Sequence, residues 1–184
     1  MFPFLETGRF LLVKIEREDQ AFIFKGLSDP AIIKYYGIRY DNYEATSAQM
    51  DFYENLWKEK TGCWWKIIDR ISMEAMGACG MNYYNPVDEK AEVGYWLLPL
   101  YWKKAVMTEV LPVMIHHLFS SWKLNRLEAV IEEGNEASCR LSEKMGFIFE
   151  GTCRECEIKN GRRINLLMYS LLRIDYEKRL TANQ

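Results

Sequence analysis

The chain has 184 residues, of which 49% are hydrophobic and 27% charged, a composition that fits one folded domain over residues 1–184 and excludes a disordered tail. Lysine and arginine number 24 against 26 acidic residues, so the net charge of -2 gives no electrostatic reason to expect nucleic acid or an anionic membrane as a partner. The sequence contains no apolar run near the ~18 residues of a membrane span, and its start lacks the basic and apolar regions of a signal peptide. We therefore expect a cytoplasmic protein.

The first half of the chain predicts a strand, three helices and a β-hairpin. Residues 9–16 are rich in β-forming side chains, and a charged segment then leads into an apolar-periodic helix. Ser28-Asp29-Pro30 is a cap-and-proline signal for a short second helix. Apolar residues of the segment 44–60 recur three and four positions apart, which predicts an amphipathic third helix. The hairpin is formed by two β-like runs, residues 63–69 and 75–83.

The second half predicts further strands alternating with helices. Residues 91–98 form a strand whose side chains alternate between two faces, with Glu92 and Trp96 on the same one. A long helix follows over residues 108–122, and Pro112 inside it predicts a kink or a late helix start. A strand, a helix and a hairpin around an Asn-Gly turn complete the chain, over residues 127–131, 136–144, 147–159 and 163–172. The whole is a mixed α/β (α+β) fold with a central, mostly antiparallel sheet of about seven strands.

The cysteines do not indicate a disulfide or metal framework. Their odd number, five, fits reduced thiols. Cys153 and Cys156 form a C-x-x-C, but no second pair follows, and their odd separation in a strand places them on opposite faces. The sequence therefore predicts no metal site. It also carries no G-x-S-x-G, P-loop or H-E-x-x-H signature of another enzyme class.

Two segments of the chain resemble a known family. AEVGYWLLPLYWKKAVMTEV covers residues 91–110, and EEGNEASCRLSEKMGFIFEGTCRE covers residues 132–155. Both resemble the GNAT acetyltransferase superfamily, in particular the ribosomal-protein N-terminal alanine and serine acetyltransferases, whose usual pattern is AEIGYWL, a W-G-x-G-x-A-T-E turn, and N-x-x-S-x-x-x-x-E-K-x-G-F-x-x-E-G. The opening GRFLLVKIEREDQAFIF and the NGRRINLLMYSLL end match the same branch. The resemblance implies the GNAT fold, a twisted and mostly antiparallel sheet with helices on both faces.

The resemblance implies acetyl-CoA as the co-substrate, without a metal. Its pantetheine would lie where two neighbouring strands splay apart, paired with the backbone of Leu97 and Leu98. Its pyrophosphate would sit at the start of the next helix, because unpaired N–H donors and the positive end of the macrodipole favour an anion there. Six residues form that helix start: Lys103, Lys104, Ala105, Val106, Met107 and Thr108. Asn135 and Ser138 would also contact the cofactor, with a plain helix cap as the alternative role of Asn135.

The sequence departs from the family pattern in this turn. Lys103 and Ala105 replace the two glycines, and Met107 replaces a small residue. Glycine permits unusual dihedral angles and a close backbone approach, so we expect the replacements to narrow the space for the pyrophosphate at the helix start. Lys103 and Lys104 would offset part of this as cations beside the phosphates. The alternative function is a catalytically inactive GNAT-fold binding module that has lost tight acetyl-CoA binding.

The chemistry that the resemblance implies is direct attack of an amine on the thioester, without a covalent enzyme intermediate. Most GNAT enzymes protonate the departing thiolate with a tyrosine four residues before the glycine of the G-F pair, and that position is Ser142 here. The ribosomal-protein branch uses a serine that matches Ser138, which is therefore the candidate acid; a serine that only starts a helix is the alternative. The candidate base is Glu157, which matches a glutamate of the branch, or Glu92 on the splayed strand. Each is otherwise a solvated strand carboxylate.

The acceptor is expected to be a primary amine, with a protein N-terminal α-amine as the first hypothesis. An α-amine with a pKa of ~7.7–8.0 is partly neutral at pH 7, whereas a lysine near ~10.4 is not. The acceptor pocket should come from aromatic residues of the first half, for which core packing is the alternative. Those residues are Tyr35, Tyr36, Tyr40, Tyr43, Trp57, Trp64 and Trp65. The oligomeric state is open, with a homodimer through the final hairpin as the arrangement that the branch implies.

Overall fold

One sheet of eight strands forms the centre of the protein in the computed structural model, which describes residues 1–182. In chain order the strands are β1 (Leu5–Glu6), β2 (Phe10–Lys14), β3 (Cys63–Asp69), β4 (Ala75–Asn85), β5 (Lys90–Leu97), β6 (Arg126–Glu132), β7 (Ile148–Lys159) and β8 (Arg162–Leu172). Their spatial order is β1-β2-β3-β4-β5-β6-β8-β7. Neighbouring strands are antiparallel except β5 and β6, which run parallel.

Helices cover both faces of this sheet. They are α1 (Gln20–Leu27), α2 (Pro30–Ile33), α3 (Ser47–Lys58), α4 (Val106–Ser121), α5 (Glu136–Met145) and α6 (Arg173–Ala182). On one face, α4 contributes residues such as Leu118 to an apolar core that includes Trp65, and α5 packs beside it. On the other face, α1, α2 and α3 surround Trp64 and Trp96. Within residues 1–182, none of the helices has both the length and the apolar character that a membrane crossing requires.

The predicted fold class is confirmed, with small differences at short or polar elements. The seven predicted strands are present, and β1 adds an eighth that pairs only through Leu5↔Leu12 and Glu6↔Leu11. Two residues are too few to show a periodic pattern. The long helix α4 begins at Val106, two residues before the predicted start, and continues through Pro112. The helix α6 was missed because it contains no buried residues and therefore has no apolar stripe.

A glycine lets α1 approach the sheet closely. A Cβ atom on Gly26 would lie 2.3 Å from the ring of Trp96, a distance that real Cβ atoms do not reach. The Trp96 ring also packs against Phe22, with 5.2 Å between the ring centroids. Trp96 is 3% exposed as a result. Any larger residue at position 26 would push α1 away from β5 and release this indole.

The hydrogen-bonded ladder between β5 and β6 ends early. Its last residue pair is Glu92↔Glu128, whereas β5 continues to Leu97 and β6 to Glu132. The two strands therefore diverge and leave a gap in the sheet, which agrees with the splay that the resemblance implies. Backbone groups that face this gap have no strand opposite them in the described chain, so they are available to a ligand.

The register of β7 against β8 shifts between Cys153 and Glu157. Cys153 lies opposite Leu166 and Glu157 opposite Ile164, so β7 contains extra residues between them. The regular alternation assumed for the C-x-x-C is interrupted there, and the Cys156 thiol donates to the Cys153 carbonyl at 3.1 Å. Because β7 is the last strand of the sheet, its outer edge is exposed. The homodimer through this hairpin remains a prediction.

The turn before α4 has a left-handed backbone at both positions where the resemblance expects glycine. Lys103 and Ala105 each have a φ of 59°. Ala105 is also the N-cap residue of α4, with a ψ of 18°. A left-handed backbone costs a residue with a Cβ atom about 1–2 kcal/mol. The turn thus adopts the backbone conformation that glycine would allow, and Lys103 and Ala105 are strained in it.

Replacing Ala105 with glycine should raise the free energy of unfolding by about 0.5–1 kcal/mol, because the strain that it removes exceeds the entropy that glycine adds to the unfolded chain. Denaturant-induced unfolding measures the difference. Ala48→Gly, at an exposed position in α3, is the matched control and should lower the free energy by about 1 kcal/mol. Destabilisation by both substitutions would contradict strain at Ala105.

Candidate functional site

A cavity of about 760 Å³ lies at the gap between β5 and β6. Tyr95 and Trp96 both line it, although as neighbours on one strand they point to opposite faces of the sheet. The cavity is also lined by residues of α2, of the turn before α4 and of α5. It therefore passes through the sheet, and we name its two ends the α4–α5 face and the α2 face.

On the α4–α5 face the cavity reaches the N-terminus of α4. This helix has 16 residues, and no side chain caps its start at Ala105. The N–H groups of its first turn have no intrahelical partner, and the positive end of the macrodipole lies beside them. Val106, Met107 and Thr108 line the cavity together with Lys103 and Ala105. Because the side chains of Lys103 and Ala105 are exposed, the expected narrowing does not close the cavity, and the helix start suits a phosphate.

A network from the β1–β2 connection holds this helix start in place. Glu109 of α4 accepts hydrogen bonds from Thr7 Oγ1 at 2.6 Å, from Arg9 N at 3.0 Å and from Arg9 Nε at 2.7 Å. Arg9 Nη1 and Nη2 also donate to the Lys104 carbonyl at 3.4 Å. Although partial burial opposes ionisation, the bonds from Thr7 and Arg9 keep the pKa of Glu109 below its ordinary value. Arg9 thus pairs with the acidic charge in the first turn and ties the turn to β2.

The end of β5 presents backbone groups to the gap. The Leu98 N–H donates to the Met76 carbonyl at 2.9 Å, so it is engaged with β4. Since successive residues of a strand direct their backbone groups to alternate sides, those of Leu97 and Tyr95 point towards the gap. The Leu97 carbonyl accepts a hydrogen bond from Trp102 Nε1 at 2.7 Å. The Leu97 N–H and both backbone groups of Tyr95 therefore face the cavity.

Two hydroxyl groups meet in the cavity from opposite sides of the gap. Tyr95 Oη lies 2.6 Å from Ser138 Oγ. Tyr95 belongs to β5 and Ser138 to the first turn of α5, whose N-cap Asn135 accepts a hydrogen bond from the Ser138 N–H at 3.3 Å. Burial raises the pKa of Tyr95, with the Ser138 and Ser142 hydroxyls opposing the shift, so the phenol is protonated at neutral pH. Asn135 is the helix cap, and it also lines the cavity.

On the α2 face, aromatic side chains surround the cavity. Tyr35 and Tyr36 line it beside Trp96, so two of the seven aromatic residues predicted for the acceptor pocket lie there. Trp64 and Trp65 are instead buried in the two cores. The remaining three lie outside the cavity: Tyr40, Tyr43 and Trp57.

Glu92 lies where the β5–β6 ladder ends. Burial, followed by the charges of Glu128 and Glu157, raises the pKa of its carboxyl group to about 7. Burial, Tyr53 and then Glu92 raise the pKa of Tyr36, which lines the cavity. Glu92 therefore acts electrostatically on the cavity wall, although it is not itself part of that wall. Its raised pKa is typical of a general base that works near neutral pH.

The α2 segment is joined across the gap to the β7–β8 hairpin. Lys159 Nζ donates to the Lys34 carbonyl at 2.7 Å and to Glu132 Oε2 at 2.5 Å. Arg39 Nη1 donates to Asn160 Oδ1 at 3.0 Å. These bonds fix the aromatic wall over the gap, so the C-terminal hairpin contributes to the shape of the α2 face.

Most residues predicted for the cofactor site meet in this one cavity. Eight of the ten line it: Leu97, Lys103, Ala105, Val106, Met107, Thr108, Asn135 and Ser138. Leu98 and Lys104 lie outside it. Of the catalytic candidates, Ser138 lines the cavity, whereas Glu92 and Glu157 do not. Within residues 1–182, no group of three or more His, Cys, Asp or Glu side chains is placed to hold a metal ion.

Sequence reasoning missed three residues that shape the site. Tyr95 and Trp102 lie inside the segment 91–110 that carries the family resemblance. A polar aromatic residue next to the point where the strands splay is a signal that could have identified them. Arg9 gave no local signal, because its partner Glu109 lies 100 positions away in the chain.

Comparisons with known proteins agree with the fold. The family model described as "Acetyltransferase (GNAT) domain" matches residues 9–148. The chain is also similar to the uncharacterized N-acetyltransferase YoaA of Bacillus subtilis. The two are 33% identical over 174 residues, which cover 94% of this chain and 98% of the relative.

Two solved structures share the fold. RimL, a ribosomal alpha-N-protein acetyltransferase in complex with coenzyme A, superposes with a TM-score of 0.83 at 18% identity, covering 92% of this chain and 98% of that chain. A spermidine N-acetyltransferase from Vibrio cholerae, in complex with CoA and spermine, gives a TM-score of 0.82 at 19% identity, covering 93% and 99%. From the family match over most of its length, together with this fold, the chain belongs to the GNAT acetyltransferase family and is an N-acetyltransferase.

Proposed function

We propose that the protein transfers the acetyl group of acetyl-CoA to a protein N-terminal α-amine, by direct attack of the amine on the thioester in the gap between β5 and β6. The observation that carries this proposal is the single cavity that reaches both faces of the sheet through the gap. A helix start that favours anions lies on one face, and an aromatic wall lies on the other. Two substrates would thus enter from opposite sides and meet within the sheet.

The residues at the α4–α5 face fit acetyl-CoA. The first-turn N–H groups of Val106, Met107 and Thr108 suit the pyrophosphate, and Lys103 adds a cation beside it. The gap-facing backbone of Tyr95 and Leu97 suits the pantetheine amides. When bound, acetyl-CoA supplies the activated acetyl group. The volume of about 760 Å³ lies within the ~300–1,000 Å³ of small-molecule sites.

On the α2 face, Glu92 accepts the proton of the amine, through one water molecule because it does not line the cavity. Its pKa of about 7 is within ~1 unit of an α-amine at ~7.7–8.0 but more than ~3 units below an alkylamine near ~10.4. Removing a proton from an α-ammonium group is therefore the smaller uphill step. This match favours a protein N-terminus over a lysine or a polyamine as the acceptor.

Calorimetric titration with acetyl-CoA tests the proposal. We expect a Kd in the micromolar range, about -8 kcal/mol. Mass spectrometry should then detect acetylation of a peptide with N-terminal serine or alanine, but not of the same peptide with a blocked N-terminus, and faster turnover of the free peptide than of spermidine. Absence of binding at millimolar acetyl-CoA would contradict the proposal and leave the alternative, a GNAT-fold binding module without catalysis.

Arg9→Ala should weaken acetyl-CoA binding about tenfold, because the Glu109 carboxylate would lose its cationic partner and its negative charge would lie beside the phosphates. Acetyl-pantetheine has no pyrophosphate, so its KM should change less than about twofold. Steady-state kinetics with the two donors measure the contrast. Arg70→Ala is the control, since Arg70 contacts Thr7 and Glu6 in the same region. Equal losses with both donors would contradict a specific role of Arg9 at the phosphate turn.

Glu92→Gln should lower kcat at pH 7.5 by about 10²-fold, a usual effect of losing a general base. In the wild type, kcat/KM should rise as the pH passes about 7, because Glu92 accepts a proton only when it is ionised. This rise comes in addition to the one near ~7.7–8.0 that deprotonation of the free peptide amine causes in every variant. Glu157→Gln should keep this rise but move it to lower pH, since the Glu157 charge contributes to the raised pKa. If Glu157→Gln abolishes the rise and Glu92→Gln does not, Glu157 is the base.

Glu92→Gln also has a predicted effect on the free energy of unfolding, which is measured without an activity assay. The pKa of Glu92 in the folded protein, about 7, lies above its ordinary value of 4.5, so the folded state binds this proton more tightly than the unfolded state does. The stabilisation that results is fully present below about pH 4.5 and is lost as the pH rises through 7. Glu92→Gln should therefore raise the free energy of unfolding at pH 8 by about 2 kcal/mol, and by less towards pH 5. Denaturant unfolding at the two pH values measures this difference.

A further inference from the structure

The hydrogen bond between Tyr95 and Ser138 joins the two walls of the gap on the side where the thioester sulfur would lie. The oxygens are 2.6 Å apart, and both side chains line the cavity. Tyr95 points to the α4–α5 face, which also carries the helix start that suits the pyrophosphate. The pair is therefore positioned beside the end of the acyl donor rather than beside the amine.

A phenol is a better-matched acid for a departing thiolate than an aliphatic hydroxyl. An alkyl thiol has a pKa near ~8.5 and a tyrosine near ~10, and burial raises the pKa of Tyr95 above that ordinary value, so the proton transfer is uphill but far less so than from a serine hydroxyl alone. A serine hydroxyl does not titrate in this range, and a proton taken from serine alone would leave an alkoxide. If serine receives a proton from tyrosine as it gives one up, the charge is left on the phenolate instead.

The position of Ser142 makes this assignment consistent with the sequence. Most GNAT enzymes carry their tyrosine acid at that place on the helix, and here it is a serine that is 3% exposed. The Ser142 hydroxyl opposes the rise in the pKa of Tyr95, so it lies close to the phenol. The phenol thus reaches the same region from β5, and the small side chain of Ser142 on α5 leaves room for it.

We propose that Tyr95 is the source of the proton that reaches the departing thiolate and that Ser138 relays it; this inference rests on the proposed acetyl transfer. As the bond between the acetyl carbon and sulfur breaks, its electron pair goes to sulfur, which takes the Ser138 hydroxyl proton. Ser138 Oγ takes the Tyr95 proton in the same step. Solvent returns a proton to the phenolate, and the proton lost by the amine leaves through Glu92.

Tyr95→Phe should lower kcat with acetyl-CoA about 10²-fold. The Kd for acetyl-CoA should change less than about twofold, since the backbone of Tyr95 is unaltered. Ser138→Ala combined with Tyr95→Phe should lose no more activity than the worse single variant, because the two hydroxyls act in one relay. Tyr83→Phe, at a side chain that is 68% exposed, is the matched control and should leave kcat unchanged.

A ring-fluorinated tyrosine at position 95 separates proton donation from a structural role. Fluorine lowers the pKa of the phenol but keeps the hydroxyl and its hydrogen bond. The alkaline limb of the kcat profile should then move to lower pH. An unmoved limb would mean that Tyr95 only orients Ser138, and this would overturn the proposal.

The outcomes also distinguish this inference from the proposed function. If the wild type acetylates the peptide and Tyr95→Phe behaves like Tyr83→Phe, the role of Tyr95 is refuted alone. Equal losses in kcat and acetyl-CoA affinity would likewise refute it, because they would indicate a role in packing. A wild type that binds no acetyl-CoA would overturn both proposals together.

Discussion

The divergence of β5 from β6 is the constraint on which the site depends. The parallel ladder ends at Glu92↔Glu128, while both strands continue beyond it. If the ladder continued, it would pair the gap-facing backbone of Tyr95 and Leu97 and close the passage between the two faces. Separate apolar cores on the two faces hold the strands in place without those bonds. The bond from Lys159 to the α2 segment adds a tie across the gap.

The turn before α4 has a glycine-like backbone without glycine because its surroundings determine it from several sides. Lys103 and Ala105 are both left-handed, each at a cost of about 1–2 kcal/mol. Such conformations persist where neighbouring contacts outweigh the strain. Here Arg9 supplies them, through the Lys104 carbonyl and the Glu109 carboxylate. Lysine at position 103 also places a cation at the mouth of the anion-favouring helix start, which glycine would not.

Most elements of the fold were predictable from the sequence because periodicity, caps and the Asn-Gly turn are local signals, whereas β1 is too short and α6 has no apolar stripe. The segments that resemble the family likewise pointed to Ser138 and to most residues of the turn before α4. The contacts that give the site its chemistry are not local: Tyr95 meets Ser138 from 43 positions away, and Arg9 meets Glu109 from 100. The sequence also could not choose between the carboxylates, because the pKa of Glu92 depends on strand register and on burial.

A single strand sets the distance between the proposed base and the proposed acid. Glu92 and Tyr95 are three residues apart on β5, and an odd separation places their side chains on opposite faces of the sheet. Three residues of extended chain span ~10 Å. Because the two side chains also point to opposite faces, the proposed reaction would place the acetyl carbon between them, with the amine on the α2 side and the sulfur on the other. In the proposed reaction the proton would be removed on one face and returned on the other, so the two transfers would not compete for the same group.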